Sequence, residues 1–172
     1  QAFMHSLGDG AAVMLKALAG GGGRGMRAVH APAELEQAYA RCQSEALSAF
    51  GNGALYVEQL VSRARHIEVQ ILGDHSGQLS HLWERDCSLQ RRQQKRVEIA
   101  PSPDLPGATR DALISAALKL AAQSAYQGIG TFEFLLDLDR PDCFYFMEAN
   151  PRIQVEHTVT EAVTGVDLVH TQ

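Results

Sequence analysis

Phe146-Met-Glu-Ala-Asn-Pro-Arg-Ile-Gln-Val-Glu-His157 sets two acids, an amide and a guanidinium along a predicted strand end and the turn after it. Cys143 to Glu148 is a short apolar and aromatic run, so Phe144, Phe146 and Glu148 are expected to share one face of a strand of period two. Glu148 then points where a core residue would. Upstream, Gly130-Thr-Phe-Glu-Phe-Leu-Leu-Asp137 reads as a second strand, and Leu138-Asp-Arg-Pro-Asp142 carries the turn residues for a hairpin between the two. A turn centred on Arg140 and Pro141 puts Glu133 opposite Glu148. Facing carboxylates repel unless a cation lies between them or one stays protonated. Hard oxygen ligands from Glu133, Glu148 and Asn150 suit magnesium or manganese held together with substrate phosphates. The alternative, two solvated acids on an open sheet face, fits poorly with the four phenylalanines at 132, 134, 144 and 146.

Beyond Asn150, the residues Arg152, Gln154 and Glu156 alternate, which places all three on one side of an extended segment. A guanidinium, an amide and a carboxylate beside a metal make a pocket for a small anion with an acid free to take a proton. A surface ion pair between Arg152 and Glu156 would use the same residues. His157 and Glu161 are four apart, but no third ligand of that type follows, which argues against zinc.

Towards the N-terminus, Val13-Met-Leu-Lys16 is a short strand running into Ala17-Leu-Ala-Gly-Gly-Gly-Gly-Arg-Gly-Met26, and Arg27-Ala-Val29 resumes extended character. Gly20 to Gly23 and Gly25 let backbone N–H groups approach phosphate oxygens. The loop is not of the Walker A type, because Lys16 precedes the glycines on a strand instead of following them into a helix. A flexible linker is the usual reading of such a run, and linkers seldom interrupt a hairpin. A helix is predicted from Pro32 to Phe50, stopped by Gly51, with Leu35, Ala38, Tyr39, Cys42 and Ala46 as its buried stripe. Strands follow at Leu55–Val61, His66–Leu72 and Leu79–Trp83. A second helix is expected from Thr109 to Tyr126, with Leu113, Ala117, Leu120 and Ala121 inward and Gly128 as its cap. Arg91-Arg-Gln-Gln-Lys-Arg96 is the one basic cluster, a solvated loop or a clamp for an anion. The order is α+β, with a small sandwich around the glycine loop and a larger antiparallel sheet carrying the acids.

With 172 residues, 45% of them hydrophobic, and a formal charge of −5, the chain has enough apolar content for one sizeable core or two small ones and is a poor candidate for bulk nucleic-acid binding. Cys42, Cys87 and Cys143 lack metal-type spacing and fit free thiols in a reducing cytoplasm or organelle matrix. No run is long and apolar enough to span a membrane. The chain starts without Met and stops without a terminating signal, and is expected to be part of something longer.

Lys16 with Gly-Gly-Gly-Gly-Arg-Gly-Met, Glu84-Arg-Asp-Cys-Ser-Leu-Gln-Arg-Arg-Gln-Gln-Lys95, Gly130-Thr-Phe-Glu-Phe and Glu148-Ala-Asn-Pro-Arg-Ile-Gln-Val-Glu-His157 together closely resemble the biotin carboxylase members of the ATP-grasp family. The resemblance covers almost the whole chain. It implies an ATP-grasp fold with residues 1–61 as lid and 62–172 as core, incomplete at its C-terminus. It implies that ATP phosphorylates bicarbonate, and that carboxyphosphate or carbon dioxide derived from it carboxylates N1′ of biotin on a carrier protein.

By the same resemblance Lys16 would hold the nucleotide phosphates, Gly20, Gly21, Gly22, Gly23, Arg24, Gly25 and Met26 would close over them, and Glu58, Gln59 and Leu60 would meet the adenine. His66 and Gln90 would line the nucleotide pocket. Glu133 and Glu148 would bridge magnesium or manganese with Asn150 nearby. Lys95, Arg152, Gln154 and the Val155 backbone would hold bicarbonate, and Glu156 would deprotonate it. The implied partners are a biotin carboxyl carrier domain and a carboxyltransferase domain or subunit, in a homo-oligomeric parent. Gln93 stands where the family usually has histidine, and Gln59 where a lysine or similar residue is frequent. The family's N-terminal domain, an upstream lysine and a downstream arginine lie outside these residues, so the chain alone is expected to fall short of full turnover. A carbamoyl-phosphate-synthetase-like enzyme and a non-catalytic nucleotide-binding module are the competing readings.

Overall fold

The computed structural model describes all residues except 9, 21–23, 93 and 141. The chain divides into two units, Gln1–Ser62 and Arg63–Gln172, each with its own apolar core. In the first, a short helix α1 (Ala2–Ser6) precedes β1 (Val13–Ala17), which lies between β2 (Met26–Val29) and β3 (Leu55–Gln59) and pairs antiparallel with both. The strand, glycine loop and strand expected from the sequence are therefore a hairpin. Gly25 closes it at φ +72°, its carbonyl accepting from the Ala17 N–H at 2.8 Å. A Cβ there would fall 2.7 Å from that of Ala17, so this position requires glycine on packing grounds alone. A 3-10 turn at Pro32–Glu34 leads into α2 (Leu35–Phe50), which ends on left-handed Gly51. Ala38, Cys42 and Ala46 are buried as expected, whereas Tyr39 is exposed. One residue further round from Ala38, it has rotated away from the core by about 100°.

The second unit holds β4 (Ala64–Gly73), β5 (Leu79–Arg91), β6 (Gln94–Ile99), α3 (Gly107–Gln123), β7 (Gly128–Asp137), β8 (Phe144–Asn150), α4 (His157–Thr164) and α5 (Leu168–Thr171). Its sheet runs β6-β5-β4-β7-β8, antiparallel throughout. Ile67, Val69 and Ile71 of β4 and Phe132, Phe134 and Leu136 of β7 pack with Leu113, Ile114, Ala117 and Ala121 of α3. Each of the larger side chains, the two alanines apart, contributes roughly 1.5–3 kcal/mol of burial. The intervening residues His66, Glu68, Gln70, Thr131 and Glu133 face the other way and are buried too.

Three local expectations change. The strand predicted at Leu79–Trp83 continues to Arg91, and the basic run turns back as β6 instead of looping through solvent. Helix α3 stops at Gln123 with Ser124 as cap, and Gly128 opens β7 at φ +88°. Glu133 does pair with Glu148, but the register beside the turn, Phe134 with Phe146 and Leu136 with Phe144, is one residue short of that expected. A bulge at Met147 restores it. The bulge also reverses the face, so Phe144 and Phe146 lie against Phe134, with ring centroids 5.7 and 5.8 Å apart, while Glu148 falls on the opposite side with Glu133. Phe146 and Glu148 thus do not share a face. Among the described residues no helix is long and apolar enough to cross a membrane, and Cys42, Cys87 and Cys143 are free thiols.

Candidate active site

One rung of the larger sheet organises the site. Across four neighbouring strands the register places Arg85 of β5 beside Glu68 of β4, Glu68 beside Glu133 of β7, and Glu133 beside Glu148 of β8. Three carboxylates in a row, about 5 Å apart from strand to strand, would destabilise a sheet without compensation. Arg85 supplies it at one end through a hydrogen bond from Nε to Glu68 Oε1. Lys95 supplies it from above the middle: its Nζ lies 2.6 Å from Glu68 Oε2, 3.1 Å from Glu133 Oε1 and 2.5 Å from Glu156 Oε1. The far end is different. Among the described residues no cation pairs with half-buried Glu148; its neighbour is Asn150, whose Nδ2 donates to Glu133 Oε1 at 3.0 Å and to Glu148 Oε1 at 3.4 Å.

Glu133 is the most crowded of the acids. Besides Lys95 and Asn150, Gln154 Nε2 donates to its Oε1 at 3.0 Å, and His66 Nε2 lies 2.9 Å from Oε2 as an ion-pair contact not aligned as a hydrogen bond. Burial by itself would raise its pKa. The contacts with His66, then the charge of Lys95 and the Gln154 bond, outweigh burial and hold it near 2. Burial opposes ionisation of Glu156 as well, but the Lys95 bond, a backbone N–H and the charges of Lys95 and Arg85 hold it below the usual carboxylate range. Burial works against the Lys95 ammonium, yet Glu68, Glu133 and Glu156 raise its pKa and keep it charged. Cys87 is buried, and burial followed by the charge of Glu68 pushes its thiol far up. His66 Nδ1 lies 2.8 Å from Gln90 Nε2, which also donates to the Cys87 carbonyl.

The segment after Asn150 is not extended. Arg152 N–H donates to the Asn150 carbonyl and His157 N–H to that of Gln154, so the chain coils and the alternation of Arg152, Gln154 and Glu156 does not put them on one side. Gln154 is buried between Glu133 and Thr131, and Glu156 caps the start of α4 within reach of Lys95. Arg152 is exposed, its guanidinium donating to the Ile153 carbonyl, and Val155 is 90% exposed. His157 and Glu161 stand 3.9 Å apart as an i,i+4 pair.

In the first unit, Lys16 is buried and its Nζ lies 2.6 Å from Glu58 Oε2, diagonally across β1 and β3. Gln59 is exposed and the Leu60 N–H donates to the Ala12 carbonyl. Of the glycine loop, Gly20, exposed Arg24, Gly25 and Met26 are described; Gly21, Gly22 and Gly23, like Gln93, lie outside the described residues.

The acidic rung carries its own test of a bound cation. Four carboxylates, Glu68, Glu133, Glu148 and Glu156, meet two fixed cations, Arg85 and Lys95, and the uncompensated charge lies at the Glu148 end. Hard oxygen donors with an excess of negative charge fit a divalent ion such as magnesium or manganese. The structure also brings one ligand atom each of His66, Glu68 and Glu133 within 4.8 Å of one another, a grouping the sequence reading did not include. Glu68 and Arg85 were both missed there. The signal for Glu68 was present, since His66, Glu68 and Gln70 alternate with Ile67, Val69 and Ile71.

A glycine-loop hairpin unit and an antiparallel sheet with an acidic, lysine-bridged face define an ATP-grasp domain. Residues 4–172 match the carbamoyl-phosphate synthase L chain ATP-binding domain, and the chain belongs to that family. It is 59% identical over 160 residues to human mitochondrial pyruvate carboxylase, covering 93% of this chain and 13% of the relative. Among solved structures, a Campylobacter jejuni biotin carboxylase in a β-γ-ATP complex superposes with TM-score 0.90 at 49% identity, over 96% of this chain and 36% of that one. The biotin carboxylase domain dimer of Hydrogenobacter thermophilus 2-oxoglutarate carboxylase, in complex with MgADP, ADP and bicarbonate, superposes with TM-score 0.90 at 46% identity, over 99% and 37%. The chain spans 13–14% of the length of the curated pyruvate carboxylases it matches.

Proposed function

We propose that this chain is the ATP-binding part of a biotin carboxylase, which uses Mg-ATP and bicarbonate to carboxylate biotin on a carrier domain. The observation that carries the proposal is the Glu68–Glu133–Glu148 rung with Lys95 bridging it to Glu156, on a chain 46% identical to a domain whose structure contains MgADP and bicarbonate. Lys16 and the loop Gly20–Gly25 contact the nucleotide phosphates, Glu58 to Leu60 the adenine, and His66 and Gln90 the remaining nucleotide surface. Residues 1–61 act as the lid and 62–172 as the core. Glu133, Glu148 and Asn150 hold the divalent ion, which when bound screens the phosphate charge.

Bicarbonate binds at Lys95, Gln154, Arg152 and the Val155 backbone. Its arrival at Lys95 loosens the ion pair with Glu156, and the freed carboxylate takes the bicarbonate proton. A bicarbonate oxygen then attacks the γ-phosphorus and ADP leaves, giving carboxyphosphate; its C–O bond to phosphate breaks to release carbon dioxide and phosphate, the phosphate takes the N1′ proton of biotin, and N1′ bonds to the carbon dioxide. A carboxyltransferase domain or subunit is the further partner, in a homo-oligomer of the cytoplasm or an organelle matrix.

The test is ADP release by the complete gene product. Wild type requires Mg, bicarbonate and biotin; Glu156→Gln keeps metal-dependent ATP binding by calorimetry and loses bicarbonate-dependent cleavage by about a hundredfold or more. Unaltered cleavage by that variant would refute the base assignment. Bicarbonate-dependent cleavage indifferent to biotin would instead favour carbamoyl-phosphate-type chemistry.

A further inference from the structure

Among the described residues Arg85 is the least accessible cation, its side chain 1% exposed. All its polar contacts are to other side chains. Nε holds Glu68 Oε1; Nη1 donates to Gln70 Oε1 at 2.9 Å and to Thr160 Oγ1 at 2.8 Å; Nη2 lies 3.4 Å from Gln154 Oε1. A guanidinium has donors only, so each partner must present an oxygen to it. That requirement fixes three orientations. Gln154 turns Oε1 towards Arg85 and Thr131, which aims Nε2 at Glu133. Glu68 gives one oxygen to Arg85 and leaves Oε2 for Lys95. Thr160 anchors the first turns of α4, on whose N-terminal end Glu156 stands.

We infer that Arg85 is a positioning residue for the bicarbonate half of the site: it sets Lys95 through Glu68, Gln154 directly and Glu156 through Thr160, without itself meeting substrate. The inference rests on the function proposed above. The nucleotide-side pair His66 and Gln90 is held by its own 2.8 Å contact and by the Cys87 carbonyl, and makes no contact with Arg85. Loss of Arg85 should therefore separate the two substrates.

In the complete gene product, bicarbonate-dependent ATP cleavage is measured with bicarbonate and Mg-ATP varied in turn. Arg85→Gln is expected to raise the KM for bicarbonate about tenfold or more while that for Mg-ATP moves less than about threefold. Arg85→Lys keeps the charge beside Glu68, but its single nitrogen cannot serve Gln154 and Thr160 together, so its bicarbonate KM stays nearer that of the glutamine variant than wild type. Thr160→Val removes only the anchor of α4 and is expected to raise the bicarbonate KM about two- to fivefold in a folded protein. A merely structural role would lower the active fraction and hence kcat with both KM values unchanged, and that result overturns the inference. Proportionate change in both KM values overturns it as well. Should Arg85→Gln fail to fold, Thr160→Val decides. Wild type lacking bicarbonate-dependent cleavage would remove the proposed function itself, whereas an active wild type with unshifted variants would remove only the role of Arg85.

Discussion

The two faces of the five-stranded sheet are built from the same strands and are buried to similar degrees, yet they hold together by different physics. On the α3 face, Ile67, Val69, Ile71, Phe132 and Phe134 exclude water and need nothing else. On the other, His66, Glu68, Gln70, Thr131 and Glu133 are buried only because each meets a partner of opposite character. Buried charges left unpaired are strongly destabilising, so this second face is stable only as a complete network. Function follows from the difference. The apolar face fixes the strands in place, and the polar face keeps one position, at Glu148, where compensation among the described residues is missing and an incoming cation would complete it.

The largest break in this comparison comes from the apolar side. Phe134 is 1% exposed and meets Phe144 and Phe146 edge to face. Phe134→Ala is expected to lower the unfolding free energy by about 3–5 kcal/mol, from lost burial and the cavity left behind. Urea unfolding of the second unit measures it. A loss under 1 kcal/mol would mean that α3 and β8 collapse onto the gap and that the apolar face is less tightly specified than its packing indicates.

Much of this architecture can be read in the sequence. The strand at Gly130–Asp137, the glycine-loop hairpin and the α3 stripe follow from period and punctuation; Glu133 meets Glu148 as expected, but through a bulge and not through the register of the turn. What could not be read depends on strands supplying one another with partners. Arg91–Arg96 looks like a solvated loop because a charge run gives no sign that one member, Lys95, turns inward to three acids on other elements. Nothing along the chain marks Arg85 as the partner of Glu68, which the pairing of β4 with β5 places beside it. The Met147 bulge is equally silent, since an inserted residue in an apolar run leaves composition unchanged while reversing which side chains share a face. The coil after Asn150 misled for a related reason: alternation in Arg152, Gln154 and Glu156 has meaning only in an extended chain.

The polar face should be distinguished from the apolar one by acid. Glu133 is held near pKa 2 against an ordinary 4.5, by His66, Lys95 and Gln154 acting against burial. A carboxylate whose folded pKa is depressed adds its full stability above the unfolded value and loses it as pH falls through the folded one. Its share, on the order of 3 kcal/mol, should therefore disappear between about pH 4.5 and pH 2. Glu156 and Asp86, also held below their ordinary values, add to the same slope. Glu133→Gln should flatten the fall in unfolding free energy between pH 5 and pH 3 relative to wild type. An unchanged slope would show that Glu133 is not the acid that ties this face to pH.

The smallest effect isolates burial from distance. Lys16 and Glu58 of the first unit are 2.6 Å apart, the same separation as Lys95 and Glu68, but the Glu58 side chain is 41% exposed and that of Glu68 fully buried. Water reaches the first pair from the Glu58 side and screens it, and a glutamine there still offers an amide oxygen to the Lys16 ammonium, so Glu58→Gln should change the local stability of β1 and β3 by no more than about 0.5 kcal/mol. Native-state amide exchange at Lys16 and Tyr56 measures it, and the difference should shrink further in 1 M salt, where the Debye length is about 3 Å. A loss as large as that expected of a buried pair would mean that Lys16, despite its exposed partner, depends on Glu58 for its place on the sheet. A small one leaves the ammonium weakly committed to Glu58, as the phosphate contact proposed for it requires.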